Sequence, residues 1–256
     1  MKITIIGTGN VATVLGKTFL HNGHTILQVA GRREAAAKEL SDTLKCPYSL
    51  NVGELNQNSD LYIITVSDSV IAQIVNEIII PQESIIVHTA GGVSINVFQG
   101  KFPNYGVLYP LQSLRKENDS LPEIPFFIDG NNEATKNTLY NFTKLLYDKV
   151  SFSSDEQRLK LHVAAVLTAN FSNFLYCLAH DFCENENIDF KNLIPLMQEG
   201  VNRLQQFNPA EMQTGPAIRK DESTITKHLN ILNSYPETKS VYQFLSQSIV
   251  EYFAKK

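Results

Sequence analysis

Residues 2–12 read KITIIGTGNVA, and the fold turns on this stretch. Ile3, Ile5 and Ile6 make a short apolar run that stops at Gly7. Gly9 and Ala12 then complete the spacing G-x-G-x-x-A. The first glycine allows a tight turn, and the second lets backbone amides approach a pyrophosphate. The small third residue lets the following helix lie close to the strand. Phosphates would sit on the helix N-terminus, where unpaired N–H groups and the helix dipole favour anions. A glycine-rich turn alone is often only a turn. Here it follows a strand, opens a helix and begins a β-α-β unit. That context predicts a dinucleotide cradle at Gly7, Thr8, Gly9, Asn10, Val11 and Ala12.

Outward from this turn, strands and helices alternate. NVATVLGKTFLHNG (10–23) reads as a helix, HTILQVAG (24–31) as a strand and REAAAKELSDTL (33–44) as a helix. DLYIITV (60–66), DSVIAQIVNEII (68–79) and SIIVHTAGG (84–92) continue the rhythm as strand, helix and strand. YGVLYPL (105–111), IPFFIDG (124–130) and KVSFSS (149–154) read as further strands, with a helix over 133–148. Such alternation predicts an α/β fold with a doubly wound, mostly parallel sheet covered on both faces. After Ser154 the pattern becomes helical. Ser154 and Gln157 have capping-box spacing, and Asp155 and Glu156 suit a first turn. This helix is expected to run to about residue 185, and more helices are read over 190–207, 222–233 and 238–256. The expected domains are 1–153, a Rossmann-type dinucleotide-binding domain, and 154–256, an all-helical domain for substrate and dimerisation.

Composition narrows the classes. The 256 residues are 43% hydrophobic and 19% charged, ordinary for a soluble globular protein. A net charge of −4 offers no broad basic surface, so no nucleic-acid partner is expected. Three cysteines suggest a reducing compartment, and a cytoplasmic location is expected. The most apolar window, residues 161–179, contains His162, Thr168, Asn170, Ser172 and Asn173. That is too polar for a lipid-facing span, so no membrane partner is expected.

The end of the second strand bears on which dinucleotide binds. An NAD site usually carries an acid there to hold the ribose 2′-hydroxyl. This chain has Arg32 and Arg33 instead. A guanidinium grips a 2′-phosphate bidentately, and two arginines at a helix start are otherwise misplaced against the dipole. NADP is therefore the expected cofactor. Ligands of open α/β sheets bind beyond the carboxyl ends of strands. Those ends supply Val66, Ser67 and Asp68, then His88, Thr89, Ala90 and Gly91. Ser67 and Asp68 read equally as a helix cap, and His88 as a buried structural histidine.

At this point the chain resembles a known group. GTGNVA (7–12), HTAGG (88–92), LYPLQS (108–113), HVAAVLTANFSNFL (162–175) and TGPAIRKDESTITKHL (214–229) carry the resemblance. The first half is similar to the NADP-binding domain of pyrroline-5-carboxylate reductase and ketopantoate reductase type enzymes. The whole chain resembles a bacterial family that joins a Rossmann-like domain to a helical C-terminal domain of unknown function. The resemblance implies an oxidoreductase that transfers a hydride to a small carbonyl or imine, and a homodimer built on the helical domains. Apolar stretches in the second half, such as VYQFLSQSIVEYF (241–253), also suggest a homodimer.

Ketopantoate reductase and the hydroxyacid dehydrogenases place a catalytic lysine on the first long helix, with asparagines along the same face. Here the comparable face carries His162, Asn170 and Asn173. At 100° per residue, Asn173 lies about 20° and Asn170 about 80° from His162, while Lys160 lies about 160° away. His162, Asn170 and Asn173 are thus the catalytic candidates, with a buried polar network as the alternative. Gln112 and Arg219 are the substrate candidates, and Arg219 reads equally as part of a structured loop before an Asp221 helix cap. Cys177, His180 and Glu184 share a helical face but lack an evident fourth ligand, so no metal is expected and Cys177 is expected in the core. The second functional reading is a non-catalytic NADP-binding sensor or scaffold, because fold does not imply function.

Overall fold

The computed structural model describes residues 1–117 and 121–255. Its elements in chain order are β1 (Lys2–Ile6), α1 (Asn10–His21), β2 (Thr25–Ala30), α2 (Glu34–Leu44), β3 (Tyr48–Ser49), β4 (Leu61–Ile64) and α3 (Asp68–Glu77). Next come β5 (Ile85–His88), β6 (Tyr105–Pro110), β7 (Phe126–Gly130), α4 (Glu133–Leu146) and β8 (Val150–Phe152). Helices α5 (Asp155–Ala165), α6 (Phe171–Asn185), α7 (Ile194–Arg203), α8 (Glu222–Ile231) and α9 (Pro236–Ala254) follow. Lys256, the expected last residue of the final helix, lies outside the described residues.

The strands form one eight-stranded sheet in the order β3-β2-β1-β4-β5-β6-β7-β8. Every neighbouring pair is parallel except β6 with β7. The chain winds outward from β1 in one direction through β2 and β3, and in the other through β4. The switch point where a ligand crevice opens therefore lies beside the carboxyl end of β1. β4 and β5 are buried at every position, as expected of central strands covered on both faces. One apolar cluster centres on Ile3, Ile5, Leu15 and Phe19, and another on Ile6, Ile64, Ile71 and Phe98.

The compact units divide at Ala169/Asn170, beyond the 153/154 boundary read from the sequence. The reason lies in the first turns of α5. Ser154 accepts from the Gln157 N–H and Gln157 Oε1 accepts from the Ser154 N–H, the expected capping box. Asp155 accepts from the Ser94 hydroxyl, the Ile95 N–H (3.1 Å) and Arg158 Nη2 (2.5 Å). Arg158 is 1% exposed and also donates to the Val93 carbonyl at 2.7 Å. These bonds tie α5 to the loop after β5, so the helix belongs to the sheet unit. Between α5 and α6, residues Val166–Asn170 form a π-helical segment.

Burial alone would push the Asp155 carboxyl up. The hydrogen bonds from Ser94, Arg158 and Ile95, with the Arg158 charge, outweigh it and hold the group below its usual range. A depressed carboxyl contributes stability above its unfolded value of about 4, and that contribution is lost as pH falls through the folded value. Urea denaturation across pH should therefore show Asp155→Asn less stable than the parent near neutrality, with the gap narrowing between about pH 5 and pH 2. A gap that stays constant with pH would contradict this account of the clamp.

Candidate functional site

A cleft of about 360 Å³ opens at the carboxyl ends of β1, β2 and β4. Gly7, Thr8, Gly9, Arg32, Arg33, Val66 and Ser67 line it. Gly7 adopts φ +124°, and a Cβ there would lie 2.9 Å from the backbone C and O of Thr65. Only glycine fits both conditions. Gly31 has no room for a side chain either, because the Thr8 methyl would lie 2.4 Å from its Cβ. Gly9 caps α1 without a side chain, and the first turn holds no acid. The N–H groups of Asn10, Val11 and Ala12 precede the first residue that an intrahelical carbonyl can serve. They make a donor set for an anion. Asn10 Oδ1 is itself engaged, accepting from the Lys116 N–H at 3.4 Å, and Ala12 is buried against the sheet.

Arg32 and Arg33 are exposed on this cleft. Among the described residues neither guanidinium has a hydrogen-bond or ion-pair partner. Arg33 stands at the N-cap of α2 and makes no capping bond. Ser67 likewise occupies the N-cap of α3 with its hydroxyl uncommitted, so it adds a free donor to the cleft. Val52, Val70 and Ile74 supply apolar wall, and the sequence reading had passed over all three. Glycines without Cβ clearance, open helix N–H groups and two unpaired arginines fit a dinucleotide with an additional phosphate.

A second group of residues sits at the ends of β5 and β6. Tyr109 Oη lies 3.1 Å from His162 Nδ1, and the two rings meet edge to face. A Cβ on Gly91 would lie 2.9 Å from Cγ and Nδ1 of His162 and 3.0 Å from Cζ of Tyr109. One on Gly92 would lie 3.3 Å from an Asp68 carboxylate oxygen. Gly91, Asp68 and His162 are thus gathered round the same turn, and Tyr109, which the sequence reading had quoted only within LYPLQS, joins them. The signal available for Tyr109 was its place at a strand's carboxyl end. Thr89 and Ala90 connect β5 to this turn, with the Thr89 hydroxyl donating to Ile64 O at 3.3 Å.

The His88 side chain lies elsewhere. It is fully buried, stacks on Phe98, and accepts from the Ala90 N–H through Nδ1 at 3.2 Å. Burial, then the charge of Arg158, pushes its pKa down to about 4, so the ring is neutral. It serves as a support beneath the turn. Gln112 spends its amide on its own loop, donating to Glu123 O and accepting from the Ser113 N–H. Lys160 is exposed and pairs with Glu156 at 2.5 Å.

Asn170, Asn173 and Arg219 belong to the second compact unit, and all three are exposed. Asn173 Nδ2 lies 3.8 Å from Cys177 Sγ. Arg219 precedes Asp221, whose carboxylate accepts from the Thr224 N–H and caps α8 as expected. Cys177 is exposed, contrary to the expectation that it lies in the core. The π-helical segment lies between His162 and Asn173, so a uniform 100° step does not carry from one to the other. Among the described residues, His180, Asp181 and Glu184 have ligand-type atoms within 4.8 Å of one another, all exposed.

Sequence comparison matches two family models, the second of which begins within the sheet unit. Residues 2–92 match the family described as NADP oxidoreductase, coenzyme F420-dependent, and residues 124–249 match a domain of unknown function, DUF2520. A crystal structure from Bacteroides fragilis, provisionally described as an NADP oxidoreductase, is 37% identical over 98% of both chains, with a TM-score of 0.92. An imine reductase from Myxococcus stipitatus in complex with NADP+ is 17% identical over 100% of this chain and 95% of its own, with a TM-score of 0.65. A 1-pyrroline-5-carboxylate reductase from Streptococcus pyogenes is 16% identical over 98% of both chains, also at 0.65. No curated protein matches the chain. The chain belongs to the family that joins an NADP-oxidoreductase-type Rossmann domain to a DUF2520 domain.

The cradle itself is open to test. Gly7→Ala combines a positive φ with a backbone collision, a strain of about 2 kcal/mol. Urea unfolding should register a loss of that order, against a change of a few tenths for alanine at a compatible site. An unaltered midpoint would mean that the turn relaxes freely.

Proposed function

We propose that the protein is an NADP(H)-dependent oxidoreductase that reduces a small carbonyl or imine. The observation that carries this reading is the pair Arg32 and Arg33, without partners among the described residues, beside a glycine turn with open helix N–H groups. A 2′-phosphate answers both arginines, and a pyrophosphate answers the turn. When bound, the cofactor supplies the hydride. The chain's own residues bind the phosphates, leave a flat approach at Gly91 and Gly92, and hold a proton at His162. On this reading Asn170 and Asn173 remain catalytic candidates with His162, and Arg219 and Gln112 substrate candidates, Gln112 only on release of its bonds to Glu123 and Ser113.

Calorimetric titration should give NADPH at least tenfold tighter binding than NADH, about 1.4 kcal/mol. Arg32→Ala should remove most of that preference, and equal affinities would overturn the phosphate assignment. His162→Ala should bind NADPH within a few-fold of the parent. On a substrate found by screening keto acids, aldehydes and cyclic imines, its turnover should fall by about 10²–10⁴, the usual worth of a positioned acid. A parent protein that binds NADPH and turns over nothing across that screen would favour the sensor reading.

The same reading includes a two-fold homodimer through the helical unit. Among the described residues after Ala169, only Leu178, Cys183, Ala217 and Leu232 are buried. Phe171, Phe174, Leu196, Val201 and Phe244 are each more than half exposed. Leu175, Leu178, Phe182, Leu232, Val241 and Leu245 line an apolar groove of about 270 Å³. A helical unit with so little core of its own needs cover, and an isologous copy supplies it with a matching face. The helix run over 155–185 is also long and apolar enough to cross a membrane by length and composition. Light scattering at micromolar concentration should give twice the 28.7 kDa chain mass. A monomer mass, with or without vesicle binding, would sink the dimer.

A further inference from the structure

The inference drawn here deepens the catalytic reading and rests on it for its chemistry, but its first test does not require turnover. Tyr109 is 7% exposed at the end of β6, where it pairs with Phe127 of β7. Its hydroxyl meets His162 Nδ1 at 3.1 Å and has no other hydrogen-bond partner among the described residues. The opposite ring nitrogen, Nε2, has no hydrogen-bond partner among the described residues. Gly91 leaves no room for a side chain between the two rings, so both are held against its backbone.

A phenol in this position either donates to Nδ1 or accepts from it. If Nδ1 carried the imidazole proton, the Tyr109 hydroxyl proton would be left without a partner in a nearly enclosed place. If Nδ1 accepts, that donor is satisfied and the imidazole proton moves to the open nitrogen. An unpaired buried donor costs about 1–3 kcal/mol, enough to decide between tautomers that are otherwise close in energy. We propose that Tyr109 is a positioning residue that fixes neutral His162 as its Nε2–H tautomer and stands behind it as the source of the transferred proton.

Hydride arriving at a C=O or C=N carbon leaves a developing anion on oxygen or nitrogen. The Nε2–H bond breaks as that atom takes the proton. The Tyr109 O–H bond breaks as Nδ1 takes its proton, so no imidazolate forms. The tyrosinate left behind recovers a proton from water. The groups bearing on Tyr109 are Asp68 of α3, Arg158 of α5 and His162 itself. Burial first, and then the Asp68 charge, raises the hydroxyl above the ordinary tyrosine value, against a smaller lowering by Arg158. It is therefore a phenol throughout the neutral range. A neutral ring backed by a phenol needs no imidazolium to deliver its proton.

Long-range proton–nitrogen NMR on histidine-labelled protein at pH 8 tests the tautomer without cofactor or substrate. The His162 signals are assigned by their loss in His162→Gln. The expected result is a protonated-type Nε2 and an unprotonated-type Nδ1 in the parent, with a mixed signature in Tyr109→Phe. A protonated Nδ1 in the parent overturns the inference whether or not the variant folds, and so does a Tyr109→Phe spectrum identical to the parent's. With a substrate in hand, parent turnover should stay level from pH 7 to pH 9. Loss of rate through the ordinary histidine range would overturn the proton-source role. An Nε2–H tautomer combined with unimpaired turnover in His162→Ala would instead remove the catalytic reading and leave the tautomer assignment standing.

Discussion

The buried guanidinium of Arg158 is the constraint on which the reacting end of the sheet unit depends. Enclosing a charge of this kind costs several kcal/mol unless it is paired and hydrogen-bonded. Here Nη2 is bound to Asp155 and to the Val93 carbonyl, while Nε and Nη1 have no partner among the described residues. Removing Asp155 would leave an unpaired buried charge, so the clamp is kept because breaking it costs more than having it. Its consequence is geometric. The loop after β5 and the start of α5 are tied to the same two side chains, and the Gly91 turn cannot move independently of His162. His88 is kept neutral in the same enclosure, first by its burial and then by the Arg158 charge.

This clamp also explains why parts of the molecule were legible in the sequence and others were not. The strands β1, β4 and β5 declare themselves as short apolar runs between turn residues, and the glycines around Gly7 follow from the conformations that phosphate cradles need. The capping box at Ser154 is a local pattern and reads correctly. Arg158 has no such signature: nothing local distinguishes an arginine that will be swallowed by a loop about sixty residues upstream from one facing water. The compact units divide later than the change to helices at Ser154 for the same reason, because Arg158 and Asp155 tie α5 to the loop after β5. β3 is two residues long at a sheet edge, too short for any period to show.

The helix over 155–185 shows the limit of face arithmetic. Thr168 back-bonds to the Ala164 carbonyl at 3.0 Å within the segment that turns π-helical. A π turn adds a residue per turn, so positions beyond it rotate relative to positions before it. His162 and Tyr109 meet through the tertiary fold of the sheet unit, with no help from helical spacing. Cys177 illustrates the same point from the other side. An apolar window predicts burial only if something lies against it, and the described residues of the helical unit offer little.

The two ends of the candidate site differ in charge, and that difference has a direction. Near α2 stand two guanidinium groups with no partner among the described residues, beside helix N–H groups that also favour anions. Near Gly91 the Asp68 carboxylate approaches the turn, Tyr109 stays a phenol, and the one arginine is spent on Asp155. Free positive charge is thus confined to one end. Bound as proposed, a dinucleotide with a third phosphate at its adenosine ribose would meet attraction with that ribose toward Arg32 and Arg33. The opposite orientation would bring the phosphate to a carboxylate and leave two arginines unanswered. Like-charge contact and lost pairing act in the same sense, so the field of the site selects the orientation before any contact to the nicotinamide is made. On the proposed reading the proton is then left to the uncharged pair of Tyr109 and His162, where burial and then the Asp68 carboxylate hold the Tyr109 hydroxyl in its phenol form.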